Sequence, residues 1–309
     1  MKFGISIPGL TRMPASLEPW HAAVAQRDIL RVAQRADELG YHHLSVPEHV
    51  IMVEERMGYL GPRWPDAIST LAFLAGATRR IRLVNSVLVL PYHNPVICAK
   101  AFATIDYLSS GRTILGVGVG HLEREFAILN VPFRERGPMT DEYLRAIKEL
   151  WTSDRPAFQG RFVQFDRVAF EPKPVQRPHP PIWVGGNSRA AIRRAAELGD
   201  GWVPFRLTRE QIAAGMEYLR QQPGFQKRTR PFDVGLPVRP YRLDEPGYRL
   251  GADPTRPTTR DAIVELVGQA RDLGATVFNA AFPKQPGSVD EYLEQMQWFA
   301  EEVMPAFGG

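Results

Sequence analysis

The sequence has very little cysteine and no long apolar run, and each of these absences excludes a class of protein. Its 309 residues contain one cysteine, Cys98, so no disulfide can form within the chain. No cysteine and histidine spacing is typical of a metal site, so none is expected. No apolar run approaches the ~20 residues that span a bilayer. No apolar leader precedes the first strand-like segment at Lys2, so we expect a cytoplasmic protein without a membrane partner.

Long runs of one charge are also missing. The chain has 38 Lys and Arg residues against 34 Asp and Glu residues, which gives a formal net charge of +4 at pH 7. The two signs are interspersed along the chain, so the sequence does not favour a nucleic-acid partner. The mild positive excess suits an anionic small molecule instead.

Strand-like segments alternate with helical segments along almost the whole chain. The predicted strands are KFGISIP, HLSVPEH, RIRLVNSVLVL, RTILGVGVG, the segment around Ile182, GWVPF, FDVGLPVR and ATVFNAAF. The predicted helices cover residues 28–39, 65–78, 95–108, 123–129, 140–151 and 289–302. Eight alternations without a linker predict an α/β protein with a single (β/α)8 TIM barrel, in one domain over residues 1–309, rather than two doubly wound domains.

Two segments are longer than a barrel connection needs. The first, at about 152–180 after the fourth predicted strand, contains FQGRFVQFDRVAF and a proline-rich return, which predicts a small β excursion. The second, at 239–258 after the seventh strand, is irregular. Long loops within a compact fold commonly border the functional site, so we expect both insertions there.

The segment PIWVGGNSRAAIRRAAELGDGW joins the fifth predicted strand to a helix through two glycines. Gly185 and Gly186 lack a Cβ atom, so a ligand can approach the backbone after Val184 closely. Asn187 or Ser188 is a good N-cap for the helix. A helix start with free N–H groups and a partial positive charge suits a phosphate. An ordinary capped connection is the alternative for this GGNS turn (residues 185–188).

Polar residues and glycines follow two other predicted strands. Glu48 and His49 come after the second strand, and Gly118, Gly120 and His121 come at the end of the fourth. TIM-barrel chemistry takes place at the carboxyl ends of the strands, where the GGNS turn also lies. Histidine titrates near neutral pH, so His49 is a candidate to give or take a proton, with Glu48 orienting it and His121 as a second candidate. Structural contacts are the alternative for these side chains.

Other residues near these strand ends have less specific interpretations. The loop after the second strand contains Met52, Tyr59 and Trp64, which would either line an apolar substrate pocket or pack together as in any loop. His42 and His43 lie at the start of the second strand and not at its carboxyl end, so we interpret them as structural.

Three long segments carry a resemblance to a known family: SVPEHV, LGVGVGHLEREFAILNVPFRERGPMTDEYLRAIKELWT and PKPVQRPHPPIWVGGNSRAAIRRAAELGDGW. Together with SVLVLPYHNP, they resemble the luciferase-like flavin and deazaflavin oxidoreductases. The chain is most similar to the actinobacterial branches that depend on coenzyme F420. The resemblance implies a TIM barrel with the cofactor ring over its mouth and the cofactor phosphate at the GGNS turn.

The resemblance also implies roles for individual residues. Glu48 and His49 match an acidic residue and a histidine near the reactive edge of the deazaflavin, and the Ser86–Val87 bond matches a cis peptide that backs the ring. His121 stands where the sugar-phosphate dehydrogenases of the family have a catalytic glutamate. Those enzymes also have a tryptophan just past the histidine of the second strand, which corresponds to His49, and no residue here matches that tryptophan. Both departures argue against sugar-phosphate oxidation.

These expectations combine into one hypothesis with two alternatives. The first is an F420-dependent oxidoreductase that moves a hydride between the deazaflavin and a small organic molecule. The alternatives are a monooxygenase that uses FMNH2 and O2 on the same fold, and a flavin-binding protein without turnover. The resemblance further implies a homodimer.

Overall fold

The computed structural model describes residues 1–14, 18–205, 207–236 and 257–308, and its centre is a closed barrel of parallel strands. The strands are β1 (Lys2–Ser6), β2 (His43–Val46), β3 (Arg82–Asn85), β4 (Leu88–Val89), β5 (Thr113–Gly118), β6 (Phe158–Gln159), β7 (Gln164–Phe165), β8 (Ile182–Gly185), β9 (Gly201–Val203), β10 (Asp233–Leu236) and β11 (Val277–Asn279). β1 pairs with both β2 and β11, and β3 pairs with β5, so the sheet closes on itself. This closure confirms the predicted (β/α)8 barrel.

Helices surround the barrel. They are α1 (Gln26–Glu38), α2 (Glu54–Leu60), α3 (Ala67–Ala77), α4 (Pro95–Leu108), α5 (Glu123–Ile128), α6 (Arg136–Thr152), α7 (Arg189–Leu198), α8 (Arg209–Arg220), α9 (Pro223–Gln226), α10 (Arg260–Asp272) and α11 (Val289–Glu302). α4 and α11 have the predicted bounds. α4 begins at Pro95 because proline suits the first helical turn, and the Asn94 side chain accepts a hydrogen bond from the Val96 amide. Within the described ranges, no helix is long and apolar enough to cross a membrane.

The third barrel strand is broken, where the sequence pattern predicted one long strand. β3 ends at Asn85, and the chain resumes as β4 after a cis peptide bond between Ser86 and Val87, which confirms the cis bond expected there. The neighbouring strand leaves room for the break through Gly116, because a Cβ atom at that position would lie 1.7 Å from the carbonyl oxygen of Asn85. A glycine of the LGVGVG segment thus serves the packing of the barrel itself.

The first insertion forms the predicted β excursion. β6 and β7 make an antiparallel hairpin in which the rings of Phe158 and Phe165 stack with centroids 6.0 Å apart. Glu142 of α6 holds the hairpin in place, because its carboxylate accepts hydrogen bonds from the backbone amides of residues 161, 162 and 163. The second predicted insertion, 239–258, lies outside the described residues except for its last two positions.

The barrel interior contains a small apolar cluster that is separate from the outer core, formed by Val84, Ile114, Trp183 and Val277. His43 lies edge-on to Trp183, with ring centroids 5.2 Å apart. Its Nδ1 atom lies 3.1 Å from Nδ1 of His42. Gly4 leaves space for this packing, because a Cβ atom there would lie 2.2 Å from the His43 ring. These contacts agree with a structural role for both histidines.

The buried histidine inside the barrel predicts a fold that is sensitive to acid. Burial, and after it the neighbouring His42, lower the pKa of His43 from 6.5 to about 3. Below pH 6.5 the unfolded chain therefore takes up a proton that the folded barrel does not, so stability is complete above that pH and is lost as the pH falls. We expect the unfolding free energy of the wild type to fall more steeply than that of His43→Asn, by about 1.4 kcal/mol per pH unit. Urea denaturation of both proteins from about pH 6 to 5 measures the difference, and equal slopes would contradict it.

Candidate functional site

Loops at the carboxyl ends of the second, third and fourth barrel strands bring the predicted catalytic residues together. The rings of His49 and His121 lie edge to face with centroids 5.9 Å apart. The Trp64 indole lies edge-on to His49 at 4.6 Å. His49 is buried, whereas His121 is exposed. Two neighbouring imidazoles therefore lie at the barrel mouth, and the Trp64 indole packs against the ring of His49.

Glu125 fixes the position of His49. It lies in the first turn of α5 and is fully buried, and its Oε2 atom lies 2.9 Å from Nδ1 of His49. The same oxygen accepts a hydrogen bond from the Tyr92 hydroxyl at 3.0 Å. Oε1 accepts hydrogen bonds from the backbone amides of Val50 and Ile51, at 2.8 and 3.2 Å. Glu125 was not among the residues predicted from the sequence, although HLEREF places an acidic residue in the first helical turn after a barrel strand.

Hydrogen bonds keep this carboxylate charged. Burial by itself raises the pKa of Glu125, but hydrogen bonds from His49 and from the amides of Ile51 and Val50 lower that pKa below its ordinary value. Burial and the adjacent Glu125 charge raise the pKa of Tyr92, so its phenol stays protonated and donates. Glu125 is therefore an ionised acceptor at neutral pH.

Glu48 has a different partner from the one suggested by the sequence. Its buried carboxylate accepts a hydrogen bond from the amide of Val89 at 2.7 Å and lies 2.8 Å from Nε2 of His93. These contacts tie the end of β2 to β4 and to the turn that follows it. The orienting contact to His49 that was expected from Glu48 is made by Glu125 instead.

Val87 fills the space between two glycines at the mouth. A Cβ atom on Gly118 would lie 2.7 Å from one of its methyl groups, and a Cβ atom on Gly185 would lie 2.8 Å from the other. Ser86 is exposed and Val87 is half-buried, so Val87 offers an apolar surface to the mouth. Gly120 has a φ of +76°, a left-handed conformation that favours glycine.

The GGNS turn leads into α7 through a glycine with positive φ and a serine cap. Gly186 has a φ of +124°, which glycine adopts readily, and its carbonyl accepts a hydrogen bond from the Trp202 indole at 2.8 Å. Ser188 caps the helix, because its Oγ accepts a hydrogen bond from the Ala191 amide at 3.2 Å. The amides of residues 187–190 have no acceptor among the residues that the structure describes. These amides suit an anion at the helix N-terminus.

Two groups of the turn are engaged within the protein. The Asn187 side chain forms two hydrogen bonds with the backbone of Phe205: Oδ1 accepts from the Phe205 amide at 2.9 Å, and Nδ2 donates to its carbonyl. The Gly186 amide donates to the carbonyl of Val203 at 3.3 Å. Among the described residues, the groups of the turn left open to an anion are therefore the backbone amides of residues 187–190 and the hydroxyl hydrogen of Ser188.

An apolar cluster lies beside His49, built from α2 and the loops after β1, β2 and β5; its members are Met13, Met52, Tyr59, Leu60, Trp64 and Leu122. Three of them are the residues that the sequence suggested for a pocket wall. The Trp64 indole donates a hydrogen bond to the carbonyl of Gly61 at 3.0 Å, which fixes its orientation. Val50 and Ile51 in the loop before α2, and Met57 within α2, are exposed apolar side chains of the same connection.

The donor set at the mouth fits a flat organic cofactor with an anionic group. Val87 and the adjoining glycines suit one face of a ring, and the amides of residues 187–190 suit a phosphate. In the described ranges, no three His, Cys, Asp or Glu side chains are placed to hold a metal ion.

The sequence profile of the luciferase-like monooxygenase family matches residues 1–245. The chain belongs to this family. Proteins similar to this chain include the FMNH2-dependent dimethylsulfone monooxygenase of Pseudomonas putida. The two are 31% identical over 193 residues, which cover 62% of this chain and 52% of that protein. They also include the F420-dependent glucose-6-phosphate dehydrogenase of Amycolatopsis mediterranei, 32% identical over 181 residues, which cover 57% of this chain and 53% of that protein. The luciferase-like chain thus spans about half the length of these two relatives.

A solved structure resembles the luciferase-like chain over its whole length. The monooxygenase RslO1 from Streptomyces bottropensis superposes with a TM-score of 0.80 at 25% identity, covering 100% of both chains. The relatives of this luciferase-like protein therefore include F420-dependent and FMNH2-dependent enzymes as well as a monooxygenase.

In this luciferase-like barrel, Val87 lies between the predicted catalytic residues and the predicted cofactor-binding turn. On one side, the Glu48 carboxylate binds the Val89 amide in the strand that follows Val87. On the other side, Gly185, where the GGNS turn begins, leaves the space that a Val87 methyl group fills. The predicted catalytic residues and the predicted cofactor-binding residues thus border the same barrel mouth.

Proposed function

We propose that this chain is an F420-dependent oxidoreductase that acts on a small organic substrate. The observation that carries the proposal is the His49–Glu125 pair, which holds an oriented imidazole at the barrel mouth. A bound deazaflavin supplies hydride exchange, while the protein supplies binding, orientation and a proton site. A substrate that gains or loses a hydride also exchanges a proton, and His49 is the group placed to exchange it.

Two sets of residues would hold the cofactor. The amides of residues 187–190 and the hydroxyl of Ser188 suit its phosphate group. Val87, between Gly118 and Gly185, suits one face of its ring. We assign Ser86, Gly120 and Gly186 to the backbone that shapes this surface, whereas the Val184 side chain is buried in the core and does not line it.

The substrate class follows from the apolar cluster beside His49. Its methionine, leucine and aromatic side chains favour an apolar, uncharged molecule such as an alcohol, a ketone or a conjugated carbonyl compound. The exposed Val50, Ile51 and Met57 of the same connection suit entry of an apolar molecule. A sugar phosphate is disfavoured, in agreement with the histidine at position 121.

A second candidate is an FMNH2- and O2-dependent monooxygenase. It is favoured by the similarity to RslO1 over the full chain and by the dimethylsulfone monooxygenase among the relatives. The same turn and the same apolar surface suit FMN, because both cofactors combine a flat ring with a phosphate.

Titration of the purified protein with F420 and with FMN separates the two candidates. We expect F420 to bind at least about tenfold more tightly than FMN, a difference of about 1.4 kcal/mol. The two chromophores have distinct absorption and fluorescence, so each titration is read directly. A preference for FMN would replace the first candidate by the second, and the absence of binding by both would contradict the cofactor assignment.

We also propose that the protein is a homodimer that joins through α3 and α4. α3 contains no charged residue, and the two helices, which pack together, expose Phe73, Ile97, Tyr107 and Leu108. Large apolar side chains exposed on two packed helices suit an interface with a second copy of the chain. We expect a dimer of the wild type in sedimentation equilibrium and a monomer of Ile97→Glu, whereas Val168→Glu, an exposed position outside these helices, should remain dimeric. A wild-type monomer at micromolar concentration would contradict the proposal.

A further inference from the structure

Glu125 has no capacity left for a ligand. A carboxylate has about four acceptor positions, and the structure uses four: His49 and Tyr92 at Oε2, and the amides of Val50 and Ile51 at Oε1. The side chain is fully buried in addition. Glu125 therefore acts on the mouth only through the groups that it binds.

The contact with Glu125 determines which nitrogen of His49 carries the proton. An ionised carboxylate accepts hydrogen bonds and cannot donate one, so Nδ1 of His49, 2.9 Å from Oε2, must be the protonated nitrogen. In the neutral ring, Nε2 then carries the lone pair. The edge-on contact with Trp64 holds the ring plane, and His121 lies next to the same ring.

We propose that Glu125 is a positioning residue, which holds His49 in the Nδ1–H tautomer so that Nε2 is the atom that exchanges a proton with the substrate. This inference rests on the proposed function for the identity of the substrate, but the tautomer is a property of the protein alone. When Nε2 takes up a proton from the substrate, the imidazolium that forms is paired with the Glu125 carboxylate. The same pair returns the proton in the reverse direction.

The geometry around Glu125 makes a specific prediction for Glu125→Gln. The amides of Val50 and Ile51 both point at the Oε1 position, so the carbonyl oxygen of the glutamine must take that place. The NH2 group of the glutamine then occupies the Oε2 position and presents a donor to His49. Nδ1 must become an acceptor, and the proton moves to Nε2. Glu125→Gln keeps the shape of the side chain but removes its charge, and it is therefore expected to move the His49 proton from Nδ1 to Nε2.

The experiment is nitrogen-15 NMR of the histidine rings in the protein without added cofactor. At a pH where the ring is neutral, we expect the wild-type His49 signals to show a protonated Nδ1 and an unprotonated Nε2. In Glu125→Gln we expect the reverse pattern. The spectrum of His49→Asn, which lacks these signals, assigns them.

Tyr92→Phe is the matched control for the loss of one hydrogen bond to Glu125. It removes the contact at 3.0 Å but keeps the carboxylate, so the wild-type tautomer should persist. A wild-type spectrum with the proton on Nε2 would overturn the inference, and that result does not depend on the stability of any variant. A Glu125→Gln protein that folds and keeps the Nδ1–H tautomer would overturn it as well.

Kinetics test the positioning role separately. We expect Glu125→Gln to lower kcat on the order of 10²-fold or more in either direction, with little change in KM or in cofactor affinity. When the substrate gives up a proton, it would meet a protonated Nε2 in place of a lone pair. When the substrate takes up a proton, the imidazolium that donates it would lack its paired carboxylate. A reversed tautomer with the wild-type kcat would overturn the positioning role. Failure of F420 and FMN to bind would contradict the proposed function. It would not affect the test of the tautomer, because the NMR spectrum is recorded without cofactor.

Discussion

His49→Ala is expected to lower turnover on the order of 10²–10⁴-fold while changing cofactor affinity little. The imidazole lies at the carboxyl end of a barrel strand, where barrel chemistry takes place. Its Nδ1 is bound by a buried carboxylate, which leaves Nε2 to exchange a proton with the substrate. The GGNS turn and Val87, which are assigned to the cofactor, are untouched by this change. Single-turnover oxidation of reduced F420 by a panel of apolar ketones and conjugated carbonyl compounds measures the rate.

His49→Asn separates proton exchange from packing. Its side-chain amide can donate a hydrogen bond to Glu125 in place of Nδ1 but has no basic nitrogen that could exchange a proton. We therefore expect His49→Asn to lose as much activity as His49→Ala. If either variant kept the wild-type rate and pH dependence, His49 would leave the mechanism and the neighbouring His121, at 5.9 Å, would become the first candidate.

Ser188→Asp is expected to weaken cofactor binding by about 10- to 100-fold. Aspartate is as good an N-cap as serine, so its carboxylate can accept the hydrogen bond of the Ala191 amide that the Ser188 hydroxyl accepts now. The helix should keep its start, while a negative charge appears where the phosphate is proposed to bind. Titration with F420 and with FMN measures the affinity, and thermal unfolding checks that the fold is preserved.

Ser188→Asn is the matched control for this prediction. Asparagine caps the helix equally well and has nearly the shape of aspartate but no charge. Its affinity should stay within a few-fold of the wild type, so the difference between the two variants isolates the electrostatic effect. If Ser188→Asp and Ser188→Asn bound the cofactor equally well, the phosphate would lie elsewhere.

Local features of the sequence were sufficient to predict the order of the strands and helices that form the barrel. Alternating apolar segments predicted the strands, and the N-cap expected at Asn187 or Ser188 is made by Ser188. α4 begins at Pro95, as the sequence predicted, because proline suits the first helical turn. Such signals act within a few residues, so they can be read without knowing what packs against them.

The break in the third barrel strand could not be predicted from the local sequence pattern. RIRLVNSVLVL predicted one continuous strand, and only the family resemblance suggested a cis bond within it. The structure divides it into β3 and β4, with Gly116 on the neighbouring strand giving space to Asn85. The pattern could not reveal this, because the break depends on a residue in another strand.

The partners of the two candidate carboxylates were beyond the reach of the sequence. Glu48 precedes His49 in the chain, which suggested that the two interact, but it binds His93 instead. Glu125, 76 residues after His49, takes the orienting role. Neighbouring residues at the end of a strand point in different directions, so closeness in the chain does not predict contact between their side chains.

By itself, the sequence determined the barrel, the family and the strand ends that carry polar residues and glycines, because periodicity, caps and motifs are local. Only the tertiary structure decided that Glu125 and not Glu48 orients His49, that Asn187 binds Phe205, and that Val87 lies between two glycines. The physical reason is that each of these contacts joins elements far apart in the chain. Closure of the barrel brings those elements together, and the direction of each side chain then selects its partner.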